Sequence, residues 1–210
     1  GLAYLTVEKS TESTESSLPN GAEKKITQID SVQSTDSTKV DTIIKFTGDV
    51  PAPKKVSATP ECVSANGRPL FNENLQVQNG RLQNVFVWIS EGLEGKTFPI
   101  PSNEVEMDQK NCAYQPHVVG VQAGQTITFL NSDSFLHNVH SMAKENDRFN
   151  VTLTNQGQRV KRKLMKPEIM LRSKCDIHPW MTGYVGVVSH PFFGVSDTQG
   201  KVTLTNIPPG

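Results

Sequence analysis

From Asp41 onward the sequence consists of short β-branched and aromatic runs that are separated by Gly, Pro, Asn and Asp. No long segment repeats its apolar residues at the helical period, and no repeat of fixed length is present. Short strands between turn residues are typical of an all-β sandwich or barrel. The runs that predict strands begin at Thr42, Gln83, Gln125, Asn150, Glu168, Gly183 and Gly200.

Residues 1–40 differ from the rest of the chain, because they are small, polar and almost free of aromatic side chains, as in the run Thr11–Ser17. Such a segment cannot bury enough apolar surface to offset the entropy of ordering it. We therefore predict a flexible tether over residues 1–40 and one domain over residues 41–210. The tether's position suggests a link to a membrane anchor, although no run approaches the ~20 apolar residues that span a bilayer.

The charge balance excludes some functions, since 21 basic side chains stand against 21 acidic ones. Proteins that bind nucleic acid show a basic face instead, so we expect no nucleic-acid partner. The densest basic run, Lys161–Lys163, is predicted to be a solvated turn. Paired carboxylates or a serine nucleophile motif do not stand out, so we expect no small-molecule substrate.

The residues Cys175, His178 and Met181 lie within one seven-residue stretch between two predicted strands, so they belong to one loop. A thiolate and two imidazoles in a trigonal plane, with a weak axial methionine, describe a blue-copper electron-transfer site. Thioether is a poor ligand for zinc, so Met181 favours copper. The loop therefore predicts a site for one type 1 copper ion, and a second histidine must come from elsewhere.

His137 and His140 compete for that second position, since both follow Asn131-Ser-Asp133 at the end of another predicted strand. A ligand from a strand end would fix the site to the rigid sandwich rather than to one loop. The two histidines are three positions apart, so along a strand they point to opposite faces. His117 and His190 lack a neighbouring cysteine or methionine and are assigned to packing.

The three cysteines are Cys62, Cys112 and Cys175. An odd number in an exported protein suggests one disulfide and one thiol with a separate role. Cys62 and Cys112 are favoured as the pair, because Cys175 lies among the candidate metal ligands. The alternative is that both remain reduced and buried.

Taken together, the phrases Cys175-Asp-Ile-His178-Pro-Trp-Met181 and Asn131-Ser-Asp133 with His137-Asn-Val resemble the plastocyanin and azurin family of cupredoxins, and the short loop is similar to that of amicyanin. The resemblance covers residues 42–210 and extends to plastocyanin-type periplasmic proteins related to methylamine utilisation. It implies a Greek-key β-sandwich with copper held by His137, Cys175, His178 and Met181. Asn138 would brace the ligand loop through a hydrogen bond. Such relatives usually continue past a Pro-Pro-Gly phrase into a further strand, so the resemblance implies that a final strand or a partner contact lies beyond Gly210.

The function that follows is a non-enzymatic carrier of single electrons in the periplasm or outside the cell, with redox proteins as transient partners. Trp180 would either cover the copper or help a partner dock, and simple packing explains it equally well. A copper oxidase or reductase would need a second copper, and only five histidines are present. The remaining alternative is a copper-storage or structural metal-binding module without electron transfer.

Overall fold

The structure is a computed structural model that describes residues 4–7 and 39–208. Most of the predicted tether, residues 1–3 and 8–38, lies outside the described residues. Within the described part there is one helix, α1 (Pro60–Asn66), and sixteen strands. The strands are β1 Tyr4–Val7, β2 Val40–Ile43, β3 Val77–Gln78, β4 Arg81–Leu82, β5 Phe86–Ile89, β6 Val105–Lys110, β7 Ala113–Gln115, β8 Val118–Gln122, β9 Thr126–Asn131, β10 His137–Ser141, β11 Asn150–Leu153, β12 Arg159–Lys163, β13 Glu168–Lys174, β14 Thr182–Val188, β15 Phe193–Val195 and β16 Lys201–Leu204.

The chain divides into two compact units, each described here by itself. One contains the described residues up to Ala52, Glu73–Lys96 and the residues from Phe192 onward. The other contains Pro53–Asn72 and Thr97–Pro191. The prediction of a single domain over residues 41–210 did not anticipate this division, and its boundaries stay a prediction.

The second unit is a β-sandwich of two sheets. One sheet has the strand order β11-β10-β13-β14-β8, and the other has the order β12-β9-β6-β7. The chain crosses from one sheet to the other between β7 and β8, β8 and β9, β9 and β10, β11 and β12, and β12 and β13, as in Greek-key sandwiches. Met107 and Phe129 of one sheet share a buried core with Val121, Val139 and Val185 of the other. The predicted all-β Greek-key β-sandwich is confirmed.

The first unit consists of small sheets around a separate core. Its sheets have the strand orders β1-β5-β15, β16-β2 and β3-β4. Ile44, Phe46, Leu82, Val87 and Val202 are buried together in this core. Strand β1 lies within the predicted tether and pairs in parallel with β5.

The runs predicted to be strands are all confirmed as strands or parts of strands, although their ends shift by one to several residues. The basic run Lys161–Lys163 was wrongly predicted to be a turn, because it belongs to β12 and pairs with β9. Its side chains alternate between exposed and half-buried, which is the pattern of an edge strand. No helix among the described residues is long and apolar enough to cross a membrane.

Candidate metal centre

The loop Cys175–Met181 is short because it joins two neighbouring antiparallel strands, β13 and β14. The Cys175 N–H donates to the Met181 carbonyl oxygen at 3.1 Å, and the Met181 N–H donates to the His178 carbonyl oxygen at 2.8 Å. These bonds close the loop on itself, so its side chains are held by backbone contacts as well as by packing. Cys175, His178 and Met181 are each at most 1% exposed.

The first residue of β10 is His137, and this strand lies beside β13. The antiparallel register pairs His140 with Lys174, so the preceding residues of β10 run alongside the start of the loop. His137 is fully buried, whereas the side chain of His140 is 30% exposed. The prediction that the two histidines point to opposite faces is confirmed.

Three donor atoms converge in this position. The Sγ atom of Cys175 lies 3.6 Å from Nδ1 of His178 and 3.9 Å from Nδ1 of His137. The two Nδ1 atoms are 3.0 Å apart. A point equidistant from the three atoms lies about 2 Å from each, which is a normal length for a bond between a metal and an imidazole nitrogen. The cluster therefore fits a single metal ion bound by one sulfur and two nitrogens.

A buried carboxylate, Asp133, fixes the orientation of the His137 ring. Its Oδ2 atom lies 2.9 Å from Nε2 of His137. The same carboxylate accepts the N–H of Asn111 at Oδ1, at 2.7 Å, and the N–H of Cys112 at Oδ2, at 2.9 Å. A carboxylate at Nε2 keeps the proton on that nitrogen and leaves the lone pair of Nδ1 free for a metal. Sequence analysis placed Asp133 in the family phrase but gave it no role.

The ionisation of the cluster suits metal binding. Burial opposes ionisation of Cys175, but hydrogen bonds with His137 and His178 outweigh it and lower the pKa of the thiol to about 6. Burial likewise disfavours the charged form of His137, yet Asp133 and Cys175 together raise its pKa. Since the thiolate is the form that binds metals, the site holds its sulfur close to the ligating state.

The predicted brace at Asn138 is confirmed. Its Oδ1 atom accepts the N–H of Asp176 at 2.7 Å, and its Nδ2 atom donates to the carboxylate of Asp176 at 2.9 Å. Asn138 is buried, whereas the side chain of Asp176 is 37% exposed, so the two bonds lie at the edge of the interior. This side chain therefore ties strand β10 to the residue that follows Cys175.

Aromatic rings surround the two imidazoles. The ring of Phe135 lies 5.3 Å from that of His137 and 6.1 Å from that of His178, measured between centroids. The ring of Trp180 is half-buried and lies 5.3 Å from that of His178. These contacts restrict the rotation of both imidazoles, and they show that Trp180 at least packs against the site.

The remaining histidines do not join the cluster. His140 pairs with the carboxylate of Asp176 at 2.9 Å. His117 packs edge-on against Tyr184, and burial lowers its pKa. His190 packs edge-on against Phe98. The assignment of His117 and His190 to packing is confirmed.

The predicted disulfide between Cys62 and Cys112 is present, and Cys175 is a free, buried cysteine. The structure adds a relationship that sequence analysis missed. The sulfur atoms of Cys62 and Cys112 and one ring nitrogen of His178 lie within 4.8 Å of one another. The disulfide is thus adjacent to one of the predicted metal ligands.

The second unit is thus a β-sandwich with a buried cluster of one thiol and two imidazoles that could hold a metal ion. Residues 101–188 match the family model of copper binding proteins, plastocyanin/azurin family. This part of the chain therefore resembles the copper-binding domains of that family. The match includes His137, Cys175, His178 and Met181.

The solved structures to which parts of this chain are similar include copper proteins. A Cu-containing nitrite reductase from Thermus scotoductus SA-01 is 21% identical, with 47% of this chain and 25% of that chain covered and a TM-score of 0.38. A purple cupredoxin from Nitrosopumilus maritimus is 24% identical, with coverages of 40% and 98% and a TM-score of 0.35. A mutant of amicyanin in the Cu(I) form is 21% identical, with coverages of 42% and 85% and a TM-score of 0.37. The chain spans a quarter of the length of the nitrite reductase. The comparison with curated proteins gives no match.

Proposed function

We propose that this cupredoxin-like domain binds one copper ion through His137, Cys175 and His178, with Met181 as a weak axial ligand, and that it carries single electrons between redox proteins. The observation that supports this most directly is the convergence of Cys175 Sγ and the two Nδ1 atoms in one buried cluster. Bound copper would supply the one-electron Cu(II)/Cu(I) couple, for which a mixed sulfur and imidazole set is suited.

The protein's own contribution is a ligand set that does not need to rearrange. His137 is fixed by β10 and Asp133, whereas Cys175 is fixed by the end of β13 and the closed loop. Asn138 ties these two elements together. A site whose ligands are held by a rigid scaffold reorganises little when an electron moves, which favours rapid electron transfer.

The burial of the ligands favours a carrier over an enzyme. His137, Cys175, His178 and Met181 are each at most 1% exposed, so a substrate molecule would have to displace protein to reach the metal. An electron needs no such opening, because it passes through the packed side chains around the site. We therefore propose that the domain transforms no substrate.

The proposed location is the periplasm or the outside of the cell. The disulfide Cys62–Cys112 supports it, because disulfides persist in oxidising compartments and are rare in the cytosol. An N-terminal link to a membrane anchor remains part of the same proposal.

The test of electron carriage is a potentiometric titration of the copper-loaded protein, followed by repeated oxidation and reduction. We expect a one-electron transition that is unchanged over many cycles, with no loss of copper. His140→Gln serves as a control, since His140 lies on the same strand as His137 but points away from the cluster. Release of copper on reduction, or a transition that cannot be reversed, would instead indicate a storage or structural role.

A further inference from the structure

Residues 54–72, here called the cover loop, lie next to the metal centre, and the two ends of this loop are hydrogen-bonded to each other. The N–H of Asn72 donates to the Lys54 carbonyl oxygen at 2.9 Å, and the N–H of Val56 donates to the Leu70 carbonyl oxygen at 3.0 Å. Helix α1 lies at the opposite end of the loop from these paired residues. A loop whose ends are paired can move as one body about its base.

The tip of the cover loop lies against the predicted ligands. Cys62 of α1 is fully buried, and its disulfide partner Cys112 is 1% exposed. Both sulfur atoms lie within 4.8 Å of a ring nitrogen of His178, and Cys112 Sγ also lies within 4.8 Å of a ring nitrogen of His137. The disulfide therefore packs beside both imidazoles that are proposed to bind copper.

The burial of His178 is consistent with this covering. Its side chain is 1% exposed, and its Nε2 atom is buried without a hydrogen-bond partner among the described residues. Leaving a buried polar atom unpaired is unfavourable, because the atom has lost its contacts with water. Something must therefore hold the cover loop in place against the tendency of this nitrogen to become hydrated.

The disulfide is the strongest link that the cover loop makes to the sandwich. A helix of seven residues is too short to be stable alone, and Val63 on one face of α1 is exposed among the described residues. Ala58 and Leu70 are only partly buried against the core. The side chain of Asn66 adds one hydrogen bond, from Nδ2 to the Asn111 carbonyl oxygen at 2.7 Å.

We propose that the cover loop closes the metal centre on the His178 side and that the disulfide Cys62–Cys112 locks it shut. In the dithiol state the loop opens about its paired base, and metal ions and solvent reach the ligands; formation of the disulfide then closes the site. The role in metal access rests on the proposed function, whereas the covering itself is a property of the metal-free protein.

The redox step is an ordinary thiol–disulfide exchange with an external dithiol. A thiolate of the reductant attacks one sulfur of the Cys62–Cys112 bond, which releases the other cysteine and forms a mixed disulfide. The second thiol of the reductant then attacks its own sulfur in the mixed disulfide and releases the remaining cysteine. Two electrons pass from the reductant to the protein, which leaves two cysteine thiols and one oxidised reductant. Closure is the reverse exchange with the disulfide of an oxidant. Because both sulfurs are buried, exchange requires transient opening of the loop.

The test uses the free thiol of Cys175 as a probe in the metal-free full chain. Iodoacetamide is added, and mass spectrometry follows the alkylation of each cysteine separately. We expect Cys175 to react at least about tenfold faster in the double variant Cys62→Ser, Cys112→Ser than in the oxidised wild type, because local opening controls access to buried groups. Val63→Ala is the matched control, since it alters the exposed face of α1 and retains the disulfide.

A second measurement uses the reduced wild type, so that its result does not depend on whether the double variant folds. The wild type is reduced with a phosphine, and amide hydrogen exchange is compared across the chain. We expect faster exchange in the cover loop and in Cys175–Met181, with β12 unchanged. Equal alkylation rates for Cys175 in the oxidised and reduced folded proteins would overturn the proposal, as would loss of protection throughout the sandwich. Neither outcome depends on copper, so failure of the cover is distinguishable from failure of the copper site.

Discussion

The Oδ2 atom of Asp133 lies 2.9 Å from Nε2 of His137, and the same carboxylate accepts the N–H groups of Asn111 and Cys112. Both of those residues have positive φ angles, of 53° and 56°, in the turn between β6 and β7. Two successive positive φ values are uncommon for non-glycine residues, and here both amides point at one carboxylate. Asp133 thus joins the turn that bears the disulfide to the histidine that is proposed to bind copper.

Replacing Asp133 by Asn tests this link. An amide cannot accept all three hydrogen bonds, so the His137 ring loses its fixed orientation. We expect copper affinity to fall about ten- to a hundredfold, measured by competition with a chelator. Asp108→Asn is the control, because Asp108 bonds to Ser132 and not to a histidine. Equal affinities for the Asp133 variant and the wild type would show that the carboxylate does not position the ligand.

Asn138→Ala removes the brace between β10 and the ligand loop. The Asp176 N–H would lose its buried partner, and we expect a loss of about 1–3 kcal/mol in the free energy of unfolding of the metal-free protein. Chemical denaturation measures this. Asn150→Ala is a matched control. Asn150 accepts a hydrogen bond from Asn138 and donates one to the same carboxylate, but it is exposed and makes no bond to the Asp176 N–H, so its effect should be clearly smaller. A larger effect at Asn150 would contradict this account of the brace.

Met181→Leu tests the axial position. Leucine keeps the buried volume but lacks the thioether, which as an electron donor stabilises Cu(II) more than Cu(I). We expect the copper-loaded variant to fold normally and to have a higher reduction potential than the wild type. Met165→Leu is the control, because Met165 is 65% exposed and should leave the potential unchanged. An unchanged potential in Met181→Leu would exclude axial coordination.

Glu168 predicts a pH dependence of stability that is independent of the metal. Its carboxylate is buried, which opposes ionisation, but it accepts N–H groups from Lys144, Glu145 and Asn146, and these lower its pKa below the ordinary value of 4.5. A folded-state pKa below the unfolded value stabilises the fold above pH 4.5, and this contribution is lost as the pH falls through the folded-state pKa.

Glu168→Gln should therefore lower the free energy of unfolding at pH 7 by about 1–3 kcal/mol. The difference from the wild type should shrink as the pH falls below 4.5 and through the folded-state pKa of Glu168, because the wild-type carboxyl then also becomes neutral. Thermal unfolding across this pH range measures both effects. Glu145→Gln, which alters an exposed side chain, is the control. A difference that is constant with pH would contradict the assignment.

Local signals allowed much of the fold and the centre of the site to be predicted. Cys175, His178 and Met181 lie within one short loop, so their proximity required no knowledge of tertiary structure. The choice of His137 over His140 came from the family resemblance, whereas the two-residue period of a strand indicated only that the two side chains lie on opposite faces. Strands with buried β-branched residues, such as β5 and β14, could be predicted because β-branched and aromatic runs between turn residues are themselves a local signal.

Features that depend on contacts between distant residues could not be predicted. Asp133 gains its role from a turn about twenty residues earlier in the sequence, and nothing local indicates that contact. The position of the disulfide beside His178 likewise depends on how the cover loop packs. Strand β12 was missed because an edge strand tolerates charged residues on both faces, which hides the alternation of apolar and polar positions.

The most direct test of the account is the visible absorption and EPR spectrum of the metal-free protein after addition of one equivalent of Cu(II), compared with the spectrum of Cys175→Ser. We expect an intense blue band in the wild type that bleaches on reduction and is absent from the variant, since the band requires a copper–thiolate bond. Copper bound at full occupancy without this band, or the same band in Cys175→Ser, would contradict this expectation.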